Sequence, residues 1–151
     1  MRVLIVYDSV HGNTEKVAQA VGDALAGEVR VQRPEGAEGT PTVEAVELLI
    51  VGSPTHGGWF TEAIRDWLDQ LPAAGLQGIP AAVFDTRTRP TFLSRIFGFA
   101  APRMAKRLEK EGVTLLVAPA GFIVEGIKGP LEEGELERAA NWTQQIAESI
   151  E

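Results

Sequence analysis

The 151-residue chain contains no cysteine. Disulfides, thiolate metal sites, iron–sulfur ligation and a cysteine nucleophile are therefore excluded. Histidine is almost as scarce: the two present, His11 and His56, have no third ligand at a metal-binding spacing. No apolar run approaches the ~20 residues that span a bilayer. The apolar start is too short for a signal peptide, so a cytoplasmic protein is expected. Positive charge is in deficit, with 21 acidic against 14 basic residues and a net charge of −7. Nucleic acid and anionic membranes are poor partners for such a surface taken as a whole, although the same charge equally serves solubility. GxSxG, HExxH and P-loop patterns are missing, and no paired carboxylates share a crevice. Hydrolysis and nucleoside-triphosphate chemistry thus have no support.

What is present is organised around residues 3–14, which read VLIVYDSVHGNT. Residues 3–6 form an apolar run without alternation, as expected of a strand buried on both faces of a parallel sheet. Ser9, His11, Gly12, Asn13 and Thr14 make a short polar turn, and helical spacing follows from Glu15. Such a turn gathers unpaired backbone N–H groups, hydroxyls and the positive end of a helix dipole around one point, a ready place for a phosphate. The plain alternative is that any strand-to-helix connection needs a glycine and a cap, and Asn13 or Thr14 would serve.

The first helix, predicted over residues 13–26, carries Val17, Ala18, Val21 and Leu25 on one face, with Gly27 as its C-terminal cap. Glu28–Gln32 alternates and reads as an edge strand; residues 33–41 are a Pro- and Gly-rich loop. A second buried strand spans 46–51. It leads into the loop 53–60 (SPTHGGWF), after which Thr61 is the expected cap of a helix over 62–71 with Ala63, Ile64, Trp67, Leu68 and Leu71 along one stripe. A third strand covers 79–84, followed by a loop over 85–90 (DTRTRP). Residues 91–101 hold three of the six phenylalanines. Pro102 is expected at the first position of a helix reaching residue 111. Residues 113–117 form the last main strand, extended or resumed by 119–125, and an amphipathic helix over 135–150 presents Leu136, Ala139, Trp142, Ile146 and Ile150. The simplest expectation for Phe92, Leu93, Ile96, Phe97 and Phe99 is packing beneath the fourth helix or against a second copy; the alternative is a membrane-surface or quinone-access role.

No internal repeat or second domain is evident, and residues 1–151 are expected to form one α/β domain. Strands alternating with helices argue for a parallel sheet covered on both faces. With right-handed crossovers, the compact five-stranded solution has the order 2-1-3-4-5. Its switch point lies between strands 1 and 3, which places the turn at Ser9–Thr14 and the loop 53–60 at one crevice.

Ser9, Val10, His11, Gly12, Asn13, Thr14 and Glu15 resemble the phosphate loop of the flavodoxin family, and the likeness extends over essentially the whole chain. The resemblance implies a flavodoxin-like three-layer sandwich and an FMN cofactor. Ser9, His11, Asn13 and Thr14 would then hold the phosphate through side chains and backbone N–H. Pro54, Thr55, His56, Gly57, Gly58 and Trp59 match the segment flanking the isoalloxazine ring. Either His56 or Trp59 would cover a ring face, and the Gly57 peptide is the one expected to turn toward the reduced ring, since glycine lacks the Cβ that penalises positive φ. Trp59 and Phe60 as ordinary core, and His56 as a solvated loop residue, are the alternatives.

The third family loop departs from the pattern. Asp85, Thr86 and Arg87 occupy it without the usual tyrosine. A cation there would favour the anionic reduced flavin and raise its potential, whereas Arg87 and Arg89 paired with carboxylates would not. The insertion that splits strand five in the long-chain type is not evident. The resemblance thus implies an FMN electron carrier serving redox partner proteins; the second reading is an FMN-dependent reductase of a quinone-like molecule or a porphyrinogen oxidase, and the third a domain that binds no flavin.

Overall fold

Hydrophobic periodicity becomes a layered structure in the computed structural model, which describes residues 1–36 and 39–150. The expected loop at 33–41 thus falls partly, at residues 37 and 38, outside the described residues. The elements in chain order are β1 (Arg2–Tyr7), α1 (Asn13–Asp23), β2 (Glu28–Gln32), β3 (Leu48–Pro54), α2 (Glu62–Gln70), α3 (Ala73–Leu76), β4 (Pro80–Thr88), α4 (Phe92–Phe97), α5 (Ala100–Lys110), β5 (Thr114–Leu115), β6 (Ala120–Val124) and α6 (Glu135–Ile150). The sheet runs β2-β1-β3-β4-β5 with every pairing parallel, and β6 pairs β4 beyond the end of β5.

Side chains alternate strictly between the two faces of the central strands. Leu4, Val6, Leu49, Val51, Ala81 and Val83 meet α2 and α5 through Ile64, Trp67, Met104 and Leu108. Val3, Ile5, Leu48, Ile50, Ala82 and Phe84 meet α1 and α6 through Val17, Val21, Trp142 and Ile146. Both faces being apolar explains why these strands read as unbroken hydrophobic runs. On the α6 side, Phe84, Phe122 and Trp142 form a mutually edge-on trio with centroids about 6 Å apart. Phe84 fits because Gly52 on the neighbouring strand has no Cβ, which would overlap the ring.

Several boundaries differ from the sequence expectation. Helix α1 ends at Asp23 rather than 26, and β3 begins two residues late and runs on to Pro54. The expected loop over 85–90 is largely strand, because Asp85 to Thr88 pair in parallel with Gly121 to Val124 of β6. Helix α5 starts at Ala100, putting Pro102 at its third position. Its early start has a physical cause: the Ala100 N–H donates to Thr55 Oγ1 and the Ala101 N–H to Asp85 Oδ2. These bonds satisfy donors that a helix start leaves open. The fifth strand position is shared by the two-residue β5 and by β6. Leu136 and Ile150, expected inward on α6, are exposed. Phe92, Leu93, Ile96 and Phe97 do not pack beneath a helix either; they form the exposed helix α4, which buries no residue.

Candidate functional site

At the carboxyl ends of β1, β3 and β4 the first two loops enclose a cleft of about 370 Å³. Its first wall is the β1–α1 turn. Gly12 caps α1 with φ +91°, a conformation open to glycine at little cost, and a side chain there would otherwise meet empty space. Neither Asn13 nor Thr14 is the cap; both lie buried inside the helix. Ser9 does the local work instead. Its Oγ accepts from the amides of Gly12 (3.1 Å) and Glu15 (3.3 Å). The amides of Val10, His11, Asn13 and Thr14 have no partner among the described residues. These donors lie at the positive end of α1, and Arg33, just past the end of β2, is engaged by Ser9 O, Asp8 and Glu15. Thr14 Oγ1 lies 2.8 Å from Thr86 Oγ1, joining this wall to β4. Beneath the turn, burial first and then the charge of Glu15 push the Tyr7 hydroxyl above its ordinary pKa, with Arg33 opposing.

The second wall is the β3–α2 loop. His56 and Trp59 exchange backbone hydrogen bonds (2.9 and 3.0 Å) around Gly57 and Gly58, whose φ values of +59° and +87° make a primed turn. Gly58 packs so closely on α4 that an added Cβ would overlap the Phe97 carbonyl oxygen; at Gly57 it would touch nothing. Thr61 precedes α2 without capping it through its side chain; its amide is held by Ser53 Oγ (3.1 Å).

The third wall comes from the end of β4 and the α4–α5 joint. Asp85 does not face the cleft. Fully buried, it receives Arg87 Nε and Nη2 at 2.7 Å each, plus the Ala101 amide at 2.8 Å. Arg87 does line the cleft, stacked 3.8 Å from the Phe99 ring centroid. Arg89 forms a two-pronged pair with Glu132. Both arginines are thus neutralised by carboxylates, which removes the unpaired cation on which the raised-potential expectation rested.

Of the residues singled out in the sequence, Ser9, Val10, His11, Asn13, Thr14, Pro54, Thr55, His56, Gly57, Gly58, Thr86 and Arg87 line one cleft. Gly12, Trp59 and Asp85 are not among the residues lining it. Trp59 is neither core nor cleft wall; it is half exposed, with the Arg103 guanidinium 4.0 Å from its ring centroid. Thr88, Ser94, Phe97, Gly98, Phe99, Val124 and Ile127 complete the lining. The third wall therefore does contain aromatics, Phe97 and Phe99, supplied by the α4–α5 joint beyond the end of β4. No residue pattern near Gly58 signals this link, because the tight approach to Phe97 exists only once α4 is in place.

The sequence profile of the Flavodoxin domain family matches residues 4–119. The chain belongs to the flavodoxin domain family. Among solved structures, this flavodoxin-domain protein is similar to a flavodoxin from the domain Archaea, at 20% identity over 99% of both chains with a TM-score of 0.77. It is similar to oxidised Flavodoxin 2 from Bacillus cereus, at 26% identity over 98% of this chain and 99% of that one, with a TM-score of 0.76. Rubredoxin oxygen:oxidoreductase from Desulfovibrio gigas is similar over 99% of this chain but 36% of its own, at 18% identity and a TM-score of 0.73. No curated protein matches the sequence. Family membership implies a flavin cofactor, ordinarily FMN.

Proposed function

We propose that this flavodoxin-domain protein binds FMN in the cleft and carries electrons between redox partner proteins. The observation that carries the reading is the donor set of the β1–α1 turn: four amides without partners among the described residues at a helix N-terminus, opening onto a cleft of small-molecule size. Such a site suits a phosphate held by dipoles without a paired cation. Ser9, His11, Asn13 and Thr14 would hold it, while Pro54 to Gly58, Thr86, Phe97 and Phe99 would border the ring system. FMN, when bound, accepts and releases electrons singly or in pairs. The residues themselves bind and orient: Ser9 shapes the turn, the Gly57–Gly58 turn presents peptide groups at the rim, and Phe97 and Phe99 exclude water on one side.

A second reading rests on the apolar mouth formed by Val10, Phe97 and Ile127. It favours an FMN-dependent reductase acting on a flat, quinone-like molecule. Anaerobic photoreduction of the purified protein, with chromatography of the released flavin, separates the two. FMN reduced in two resolved one-electron steps supports the carrier. FMN reduced in a single two-electron step favours the reductase, and a colourless protein that ignores added FMN contradicts both.

A further inference from the structure

Ten large apolar side chains are exposed among the described residues; three of them line the cleft and four more lie on its second loop and on α4. Val10 stands in the first loop and Trp59 (53% exposed) in the second. Phe92 (80%), Leu93 (64%), Ile96 (64%) and Phe97 (59%) cover α4, and Ile127 (79%) caps the β6–α6 connection. On a helical wheel the four α4 residues span an arc of about 140°, leaving Ser94 and Arg95 on the other side. Ser94 is spoken for locally, closing a capping box with Thr91. Helix α4 therefore stands out from the surface, held at its base and bare at its crest.

The charge around this rim is opposite to that of the protein. From residue 86 to residue 108 there is no aspartate or glutamate, while six of the 14 basic residues lie there. Arg87, Arg89 and Arg107 are paired with carboxylates. Arg95, Arg103 and Lys128 have no carboxylate partner among the described residues, and outnumber Glu125 and Glu133 of the β6–α6 connection. Arg103 donates to the Phe97 carbonyl at 2.6 Å and lies over Trp59, tying cation, tryptophan and α4 into one unit.

Apolar crests flanked by cations, with a tryptophan beside them, match the interface of an anionic lipid bilayer. A second copy of the chain fits less well, because a two-fold contact through this face sets Arg95, Arg103 and Lys128 against themselves. A soluble partner would need a groove to receive a convex helix, whereas lipid needs none. We propose that the cleft face of this protein docks on anionic membrane surfaces, with the apolar side of α4 seated in the headgroup region. The net charge of −7 does not oppose this, since screening confines electrostatics to about 10 Å and the local rim is cationic.

Vesicle flotation tests the proposal, using phosphatidylcholine alone and phosphatidylcholine mixed with phosphatidylglycerol. The protein floats with the mixed vesicles at about 0.1 M salt and not with the neutral ones. The pair Phe92→Ser and Leu93→Ser, and separately Arg95→Glu, each weaken binding by roughly tenfold or more. These side chains are exposed, so circular dichroism stays that of the parent. Trp59 supplies a second readout, because Trp67 and Trp142 are buried. Its fluorescence shifts to the blue on mixed vesicles, and Trp59→Phe abolishes the shift while flotation persists. Failure to float with either vesicle overturns the proposal. So does a concentration-dependent dimer that Phe92→Ser dissolves, which assigns the face to a second copy, or binding only to a soluble acidic protein.

Discussion

Asp85→Asn isolates the charge pair that builds the third wall of the cleft. The Asp85 carboxylate is wholly buried and accepts three hydrogen bonds, two from Arg87 at 2.7 Å and one from the Ala101 amide at 2.8 Å. The amide has the same volume but only one acceptor, and it turns an N–H₂ group toward a guanidinium donor. Removing one member of a buried ion pair costs about 3–5 kcal/mol, because the other charge is stranded. The Arg87 side chain is 15% exposed and recovers some solvation, which puts the expected loss near 3 kcal/mol. At about 2–4 °C per kcal/mol in a domain of this size, the melting temperature falls by roughly 6–12 °C. Thermal and urea denaturation followed by circular dichroism measure this. Asp85→Asn combined with Arg87→Met should lose less than the two single variants summed, with a coupling of about 2 kcal/mol. In the FMN-loaded protein, Asp85→Asn also unpairs a cation at the cleft and raises the reduction potential. A variant within about 0.5 kcal/mol of the parent, or strict additivity, would refute the pairing argument.

The glycines of the second loop separate backbone strain from steric overlap. Gly57→Ala pays only for its positive φ, about 1 kcal/mol, whereas Gly58→Ala also collides with the Phe97 carbonyl and destabilises more; equal losses in urea titrations would contradict this. Ser9→Ala removes the acceptor of two turn amides, costs about 1 kcal/mol in thermal unfolding and weakens FMN binding. Unchanged stability and affinity would show that the turn holds its shape without the hydroxyl. Arg138 chiefly, then the Ile123 amide, hold the Glu135 carboxyl below its ordinary value of 4.5, opposed by burial. Its contribution is therefore present above that value and lost as pH falls through the lower folded-state pKa. Glu135→Gln should cost about 2 kcal/mol at neutral pH, with the difference from the parent closing under acid; a gap that persists in acid would refute the assignment.

The sheet was legible because buried parallel strands leave unbroken apolar runs, and right-handed crossovers admit few orders for such runs. The first two loops were legible for a related reason: a strand end, a glycine and a helix start are adjacent in sequence, so their meeting point follows from topology. What escaped the sequence was assembled over distance. Asp85 to Thr88 alternate and carry two β-branched threonines, yet DTRTRP looked like a loop because a buried aspartate is unexpected until Arg87 and the Ala101 amide are seen to meet it. Ala100 begins α5 only because Thr55 and Asp85, far apart in the chain, supply its first acceptors. Phe97 and Phe99 looked like part of an apolar packing segment because nothing local says that Gly58 draws α4 onto the second loop.

Isothermal titration of flavin-free protein with FMN and with riboflavin tests the central claim most directly. A cleft built around unpartnered amides at the start of α1 predicts one FMN per chain and riboflavin bound at least about a hundredfold more weakly, since the phosphate carries charge-assisted hydrogen bonds that riboflavin lacks. Equal affinity for the two, or no binding of either, would contradict it.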